Sequence, residues 1–327
     1  MVERKRVVLY VGIFVVLLLL ITGFYEKFGS KGLGWFYYGK YSKGNGRATL
    51  WEAPYAPGTG SRLMRVVSLT PALTETVCDL GAGDCLVGVT DNDDYPEFVK
   101  KLPSVGDMYP NLELIAAAAP DLLVYDPQLL PAGVQSRFKA LKNTQKLPLH
   151  LANLEDLRQI LPVLGQALQR KEAADKLAVR LEDKIERLEK ASSAWQRKPR
   201  VFLAIWPNPI VTVGKTSYID GLITWAGGRN CYGELNNDYP TVSLEDLVRQ
   251  NPDLVIMSCS GMSTWEKSPG WKSLPAVMNK RVYFIPAGLL HRPTMRCLEG
   301  TELMQRYCWE VAKDMTGELG AKVEHDS

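Results

Sequence analysis

The chain reads as an α/β protein of two similar lobes with mostly parallel sheets, joined by a long rigid backbone helix and preceded by an N-terminal transmembrane helix. Three features predict this architecture: an uncharged apolar run close to the N-terminus, an internal repeat of helix and strand signals, and a long amphipathic stretch between the two copies. A length of 327 residues suits two globular units at about 150 residues each. Apolar residues make up 46% and charged residues 23%, ordinary usage that excludes a disordered chain or a many-span membrane protein. The 39 basic and 36 acidic residues nearly cancel, leaving no electrostatic footprint for nucleic acid. Three histidines (His150, His291, His325) and six cysteines without a CxxC pair give no multi-histidine metal centre or zinc ribbon.

Taken in order, residues 1–25 form a cytoplasmic stub and membrane anchor. Val7 to Phe24 carry no charge, and about 18 helical residues rise roughly 27 Å, enough to cross a bilayer core. Arg4, Lys5 and Arg6 precede the run, so the N-terminus stays cytoplasmic and the body is extracytoplasmic. The exit LITGFYEKFGS puts Phe and Tyr where a signal-peptide cleavage site needs small residues, so the anchor is expected to persist. No cysteine precedes Cys78, which leaves no thiol beside the run to take a lipid. Residues 26–63, rich in Gly, Lys and Tyr, read as a tether. Its cluster Trp35, Phe36, Tyr37 and Tyr38 suits either the membrane interface or packing on the first lobe.

Residues 64–153 are expected to form the N-terminal lobe. RVVSL at Arg65 to Leu69 is a strand, ALTETVCDLGAG a helix stopped at Gly81, CLVGV at Cys85 to Val89 the next strand, and Leu122 to Tyr125 another after a helix over 112–119. LELIAAAAPDLLVYD at 112–126 returns as LEDLVRQNPDLVIMS at 244–258, with Leu-Glu and Pro-Asp-Leu at one spacing. A weaker echo pairs Ser68 to Gly83 with Lys215 to Gly228. The repeat places a like-built lobe at 199–327. Between them, 154–198 are linking helices. There Ala174, Leu177, Leu181, Ile185 and Leu188 recur every three or four residues, so Lys171 to Lys190 is one helix roughly 30 Å long. Such a helix resists hinge bending, and ligand capture is expected to be a small lobe adjustment.

Ligands of open α/β sheets sit at the carboxyl ends of strands. Those positions supply Thr70, Thr90 to Tyr95, Asp107 to Tyr109, Tyr125 and Asp126, then Trp206 to Asn208, Tyr239, Ser258 to Trp265, His291 and Arg292. Aromatic and hydroxylic, they suit a bulky, partly apolar ligand with a polar periphery. No nucleophile, zinc or nucleotide motif stands in a strand-turn-helix context, so no enzyme is expected. Asp91, Asp93 and Asp94 lack the glycine turn and bidentate Glu of a calcium loop and read as a solvated loop.

With these residues in hand, the stretch from Arg65 to Trp309 resembles the class III, helical-backbone family of periplasmic substrate-binding proteins serving cobalamin and iron-siderophore ABC importers. RVVSLTPALTETVCDLGAG, VGVTDNDDYP, VTVGKTSYIDGLITWAGGRN, YPTVSLEDL and HRPTMRCLEG carry the resemblance. It implies an ABC permease dimer with its ATPase as partner, docked through Glu113 and Glu245. It implies a metal chelate as ligand, with cobalamin or a related corrinoid favoured, and neither a covalent cofactor nor a directly held metal. Thr70, Tyr109, Trp206, Tyr239, His291 and Arg292 are the expected ligand contacts. Where the cobalamin binders have further aromatics this chain has Asn92, Asp107 and Gly288. A siderophore or haem, with Tyr109 or His291 on the iron, is the alternative ligand; a sensor or enzyme that borrowed the fold is the alternative class. Export also permits a disulfide, for which Cys231 with Cys308 is the expected pair.

Overall fold

The computed structural model describes residues 63–131, 133–259 and 267–316. The anchor at 7–24, and all but the last residue of the tether at 26–63, lie outside them. Among the described residues no helix is long and apolar enough to cross a membrane.

The N-terminal sheet is made of β1 (Val66–Ser68), β2 (Leu86–Gly88), β3 (Leu122–Tyr125) and β4 (Gln145–Pro148), in the order β2-β1-β3-β4 and parallel throughout. The continuous apolar runs Val66-Val67 and Leu122 to Val124 make the central strands β1 and β3, whose side chains are all buried. Helix α1 (Pro71–Asp79) follows β1, with Pro71 in its first turn and the Thr70 hydroxyl accepting the Leu73 N–H. Helix α2 (Leu112–Ala117) is capped by Asn111, whose side-chain oxygen accepts from the N–H groups of Glu113 and Leu114.

Two helices link the sheets: α3 (Leu154–Ala167), capped by Asn153, and α4 (Lys171–Ser193). Helix α4 has 23 residues, about 34 Å at 1.5 Å per residue. It buries Ala174, Leu177, Leu181, Ile185 and Leu188, the stripe read from the sequence, and continues three residues beyond Lys190. Gly165 lets α3 approach it closely, since a Cβ there would stand 2.5 Å from that of Ala174.

The C-terminal sheet contains β5 (Arg200–Pro207), β6 (Ile210–Thr212), β7 (Arg229–Asn230), β8 (Thr241–Val242), β9 (Leu254–Met257) and β10 (Val282–Phe284). Its order is β10-β9-β5-β6-β8, with β7 beside β5. Strands β10, β9 and β5 are parallel, whereas β6 runs antiparallel to both neighbours. Its longer helices are α5 (Tyr218–Trp225), α6 (Leu244–Gln250) and α7 (Met295–Thr316). The two halves are therefore alike around the repeat and unlike at the β6–β8 side, which has no counterpart in the all-parallel N-terminal sheet.

The repeat has a structural cause. Ala119 and Asn251 occupy the same repeat position and both take the left-handed conformation, φ 43° and 47°, directly before a proline that ends the helix. The aspartate after that proline then starts a strand by clasping its neighbour. Asp121 accepts the Arg65 N–H at 2.8 Å and returns its own N–H to the Arg65 carbonyl at 2.8 Å. Asp253 does the same with Arg200, at 2.7 and 2.9 Å. The weaker echo also holds: α1 and α5 start at hydroxyl caps, Thr70 and Ser217, and are followed by left-handed glycines, Gly81 and Gly227.

One apolar core runs through both halves. It joins Val66, Leu73 and Val124, the buried stripe of α4, and Val201, Leu203, Leu298 and Met304. Separate clusters cover the opposite sheet faces, around Val67 and Leu123 in the first half and around Phe202 and Val255 in the second. This division overturns the expected disulfide. Cys308 is buried in the shared core, whereas Cys231 packs with the Phe202 cluster across the sheet, and all six cysteines are free thiols.

Candidate functional site

Parallel strands put the carboxyl ends of β1 to β4 along one edge, and the C-terminal half contacts the residues that follow β1 and β2. Arg292, beyond β10, donates Nη1 to Glu75 Oε1 at 2.8 Å and to Asp94, and Nη2 to the Asn92 carbonyl at 3.1 Å. Thr294 donates its hydroxyl to the other Glu75 oxygen at 2.7 Å, and Arg296 Nη1 reaches Oε1 at 3.0 Å. The Arg296 guanidinium also lies over the Tyr95 ring, 3.6 Å from its centroid. Glu75 is 1% exposed and sits on α1, so a buried carboxylate of one half is shared by three side chains of the other. Arg292 was expected as a ligand contact; here it is first a tie between halves.

The acidic trio lies in a loop with Asp91 and Asp94 exposed, as expected, while Asp93 is buried, and each of the three has its own attachment. Asp91 accepts from the Ser104 hydroxyl, buried Asp93 accepts the Thr90 N–H and hydroxyl, and Asp94 takes Arg292. Asn92 Nδ2 donates to Asp107 Oδ1 at 2.9 Å. Gly288 abuts the Arg296 guanidinium, about which a Cβ would sit at 3.6 Å. The three positions where corrinoid binders were expected to carry aromatics are thus tied to the polar joint between the halves.

Among the remaining expected contacts, Tyr109 is 74% and Trp206 37% exposed, and the indole N–H of Trp206 donates to the Asn208 carbonyl at 3.1 Å. Tyr239 is half-buried against the shared core. Burial pushes its phenol up to about 12 despite a hydrogen bond with Ser217. Thr70 is buried and its hydroxyl is engaged as the cap of α1. His291 is buried too; burial, then the charge of Arg292, lower its pKa to about 3 and keep it neutral. That enclosure places neither Thr70 nor His291 on an open wall. Of Ser258 to Trp265, only Ser258 and Cys259 fall within the described residues.

A pair the sequence reading passed over lies at the ends of β3 and β4. His150 Nδ1 is 3.1 and 3.2 Å from the two carboxylate oxygens of Asp126, which also accepts the N–H groups of Gln128 and Leu151. The hydrogen bond that His150 donates to Asp126 raises the His150 pKa above the ordinary histidine value. No local motif marked it, because its members come from neighbouring strands 24 residues apart.

Glu113 and Glu245 are both exposed and both second in their helices, after the caps Asn111 and Ser243. Equivalent repeat positions give them equivalent settings on the two halves.

A fold of two α/β halves on a long helix, with the strands' carboxyl ends turned to the junction, defines a binding protein of the two-lobed kind. The chain belongs to the periplasmic binding protein family, which it matches over residues 66–289. It is 30% identical to an uncharacterised ABC transporter substrate-binding lipoprotein, YvrC, of Bacillus subtilis over 73% of this chain and 77% of the relative. It is 28% identical to the vitamin B12-binding protein of Vibrio campbellii over 78% of this chain and 92% of that one. The crystal structure of the periplasmic vitamin B12-binding protein BtuF of Vibrio cholerae superposes with a TM-score of 0.64 at 26% identity, covering 76% of this chain and 98% of that one. The periplasmic haem-binding protein RhuT of Roseiflexus shares the fold, with a TM-score of 0.68 at 22% identity over 77% and 100% of the two chains.

Proposed function

We propose that the chain is the extracytoplasmic substrate-binding component of an ABC importer, held to the cell membrane by the apolar run at 7–24. Its ligand on this reading is a metal chelate, with cobalamin or a related corrinoid favoured. The observation that carries the reading is the match to vitamin B12-binding proteins of three Vibrio species, 28–29% identical over roughly three quarters of the chain and 85–92% of theirs. Exposed Trp206 and Tyr109 supply flat apolar surface suited to a large ring system. Tyr239 and Arg292 complete the expected contacts from the C-terminal half.

Glu113 and Glu245 are the proposed docking points for a permease dimer with its ATPase, one on each half, where paired charges fix register and steer encounter. An acidic residue in a first helical turn is also favourable to its own helix, and the two roles are compatible. The test is a titration of intrinsic fluorescence, from a chain with eight tryptophans, with cobalamin, ferric siderophores and haem. Saturable quenching by cobalamin supports the reading; no response to any of the three sinks it.

A further inference from the structure

Resting on the reading that the junction takes a metal chelate, we propose that His150 is an axial donor to the chelate's metal, presented for that role by Asp126. The edge on which it stands is the edge turned to the C-terminal half. Arg292 reaches Asn92 and Asp94, which follow β2, and Glu75, in the helix that follows β1. Strands β3 and β4 continue the same parallel sheet on the far side of β1, roughly 5 and 10 Å further along. Asp126 directly follows β3, and His150 follows β4 by two residues, the strands being paired at Tyr125 and Pro148. The polar tie therefore occupies one end of the edge and the His150–Asp126 pair the other.

The geometry settles which nitrogen is offered. A carboxylate only accepts, so Nδ1 carries the hydrogen toward Asp126 and Nε2 points away from it. Asp126 is itself immobilised, 2% exposed and holding the Gln128 and Leu151 N–H groups at 2.8 and 3.0 Å, whereas the His150 side chain keeps 24% exposure. An imidazole oriented by a carboxylate in this way is how proteins present Nε2 to a metal. Among the described residues no three His, Cys, Asp or Glu side chains converge as a bare ion would require. One donor suffices for a metal already held by a tetrapyrrole ring that keeps an exchangeable axial position. The step swaps one bond for another: the Nε2 lone pair enters the axial position, a bound water leaves, and no oxidation state changes.

The test uses the full chain in detergent, with aquocobalamin, cyanocobalamin and ferric haem as probes and visible spectra as the readout. Expected is a ligand-field shift of aquocobalamin or ferric haem as nitrogen replaces axial water, with the responding probe distinguishing a corrinoid from a haem source. Cyanocobalamin, whose axial site is blocked, binds more weakly and without a shift. His150→Gln and His150→Ala lose the shift and about 10 to 100-fold in affinity, and Asp126→Asn keeps the shift at weakened affinity. A shift that survives in both His150 variants overturns the proposal. So does equal, spectrally silent binding of aquocobalamin and cyanocobalamin by the wild type, an outcome that leaves the receptor reading standing. A wild type that binds none of the three overturns both.

Discussion

Arg292 Nη1 and Glu75 Oε1 meet at 2.8 Å across 217 positions of sequence, joining the last third of the chain to the first helix of the N-terminal half. The pair is nearly water-free, with side-chain exposures of 12% and 1%, and Arg296 adds a second guanidinium to the same oxygen. Removing the carboxylate leaves two largely buried arginines without their common partner. Breaking such a cluster from one side costs about 3 to 5 kcal/mol. Glu75→Gln is accordingly expected to lower the unfolding free energy by an amount in that range, read as a fall in the urea midpoint at an unchanged denaturant slope. A change below about 0.5 kcal/mol would show that the tie is ornamental.

The same cluster makes stability depend on pH through Asp79, one turn after Glu75. Burial first, and then repulsion from Glu75, raise its pKa from 3.8 to about 7, against the lowering influence of Arg180 and Arg296. Between those two values the folded chain holds a proton that the unfolded chain has released, so stability falls as pH rises through that window and levels off above it. His291 works in the opposite sense below about pH 6.5, because its folded pKa is depressed to about 3. Urea midpoints measured from pH 5 to 8.5 should therefore be compared between wild type and Asp79→Asn. The variant is expected to gain stability relative to wild type as pH rises, and parallel curves would remove Asp79 from the account.

Much of this arrangement was legible in the chain, and the part that was not has a definite character. Leu122 to Tyr125 and the stripe of α4 were read correctly because burial writes itself as apolar runs and three-to-four spacing. The repeat was legible because Pro-Asp must follow each helix for the aspartate to clasp the next strand. β4 was missed, since Gln145 to Pro148 offers one fully buried side chain and no apolar run. The Glu75 cluster and the His150–Asp126 pair were missed for a different reason: each is assembled by tertiary contact between residues with no spacing relation. Arg292 and the trio were noticed singly, but sequence cannot show that Asp94 and Arg292 are partners.

Thiol chemistry gives a third prediction. Cys297 and Cys308 are buried on α7, and burial raises both, Cys308 to about 12, so neither thiolate forms at neutral pH. The native chain is expected to leave both unmodified by iodoacetamide at pH 8 over a time that labels all six cysteines in urea. Peptide mapping without reductant should recover Cys231 and Cys308 as separate free thiols. A Cys231–Cys308 cross-linked peptide would require the sheet between them to open, and would contradict the fold described.

Docking and binding should separate by mutation, because the residues assigned to them lie on different surfaces. Glu113 and Glu245 sit exposed at the second position of α2 and α6, whereas Trp206 is the penultimate residue of β5, at its carboxyl end. Reversing a docking charge sets like charges together across the permease contact and slows encounter, while leaving the strand ends untouched. Trimming an aromatic that covers a ligand removes contact worth on the order of 1 to 4 kcal/mol, about 5 to 1,000-fold in affinity. Glu113→Arg and Glu245→Arg are thus expected to retain cobalamin affinity within about threefold and to impair uptake, the double variant most strongly, in vesicles carrying permease and ATPase. Trp206→Ala should weaken binding, with transport restored at saturating ligand. Loss of ligand binding in the glutamate variants equal to that in Trp206→Ala would merge the two surfaces into one, and the junction would then have to extend over the starts of α2 and α6.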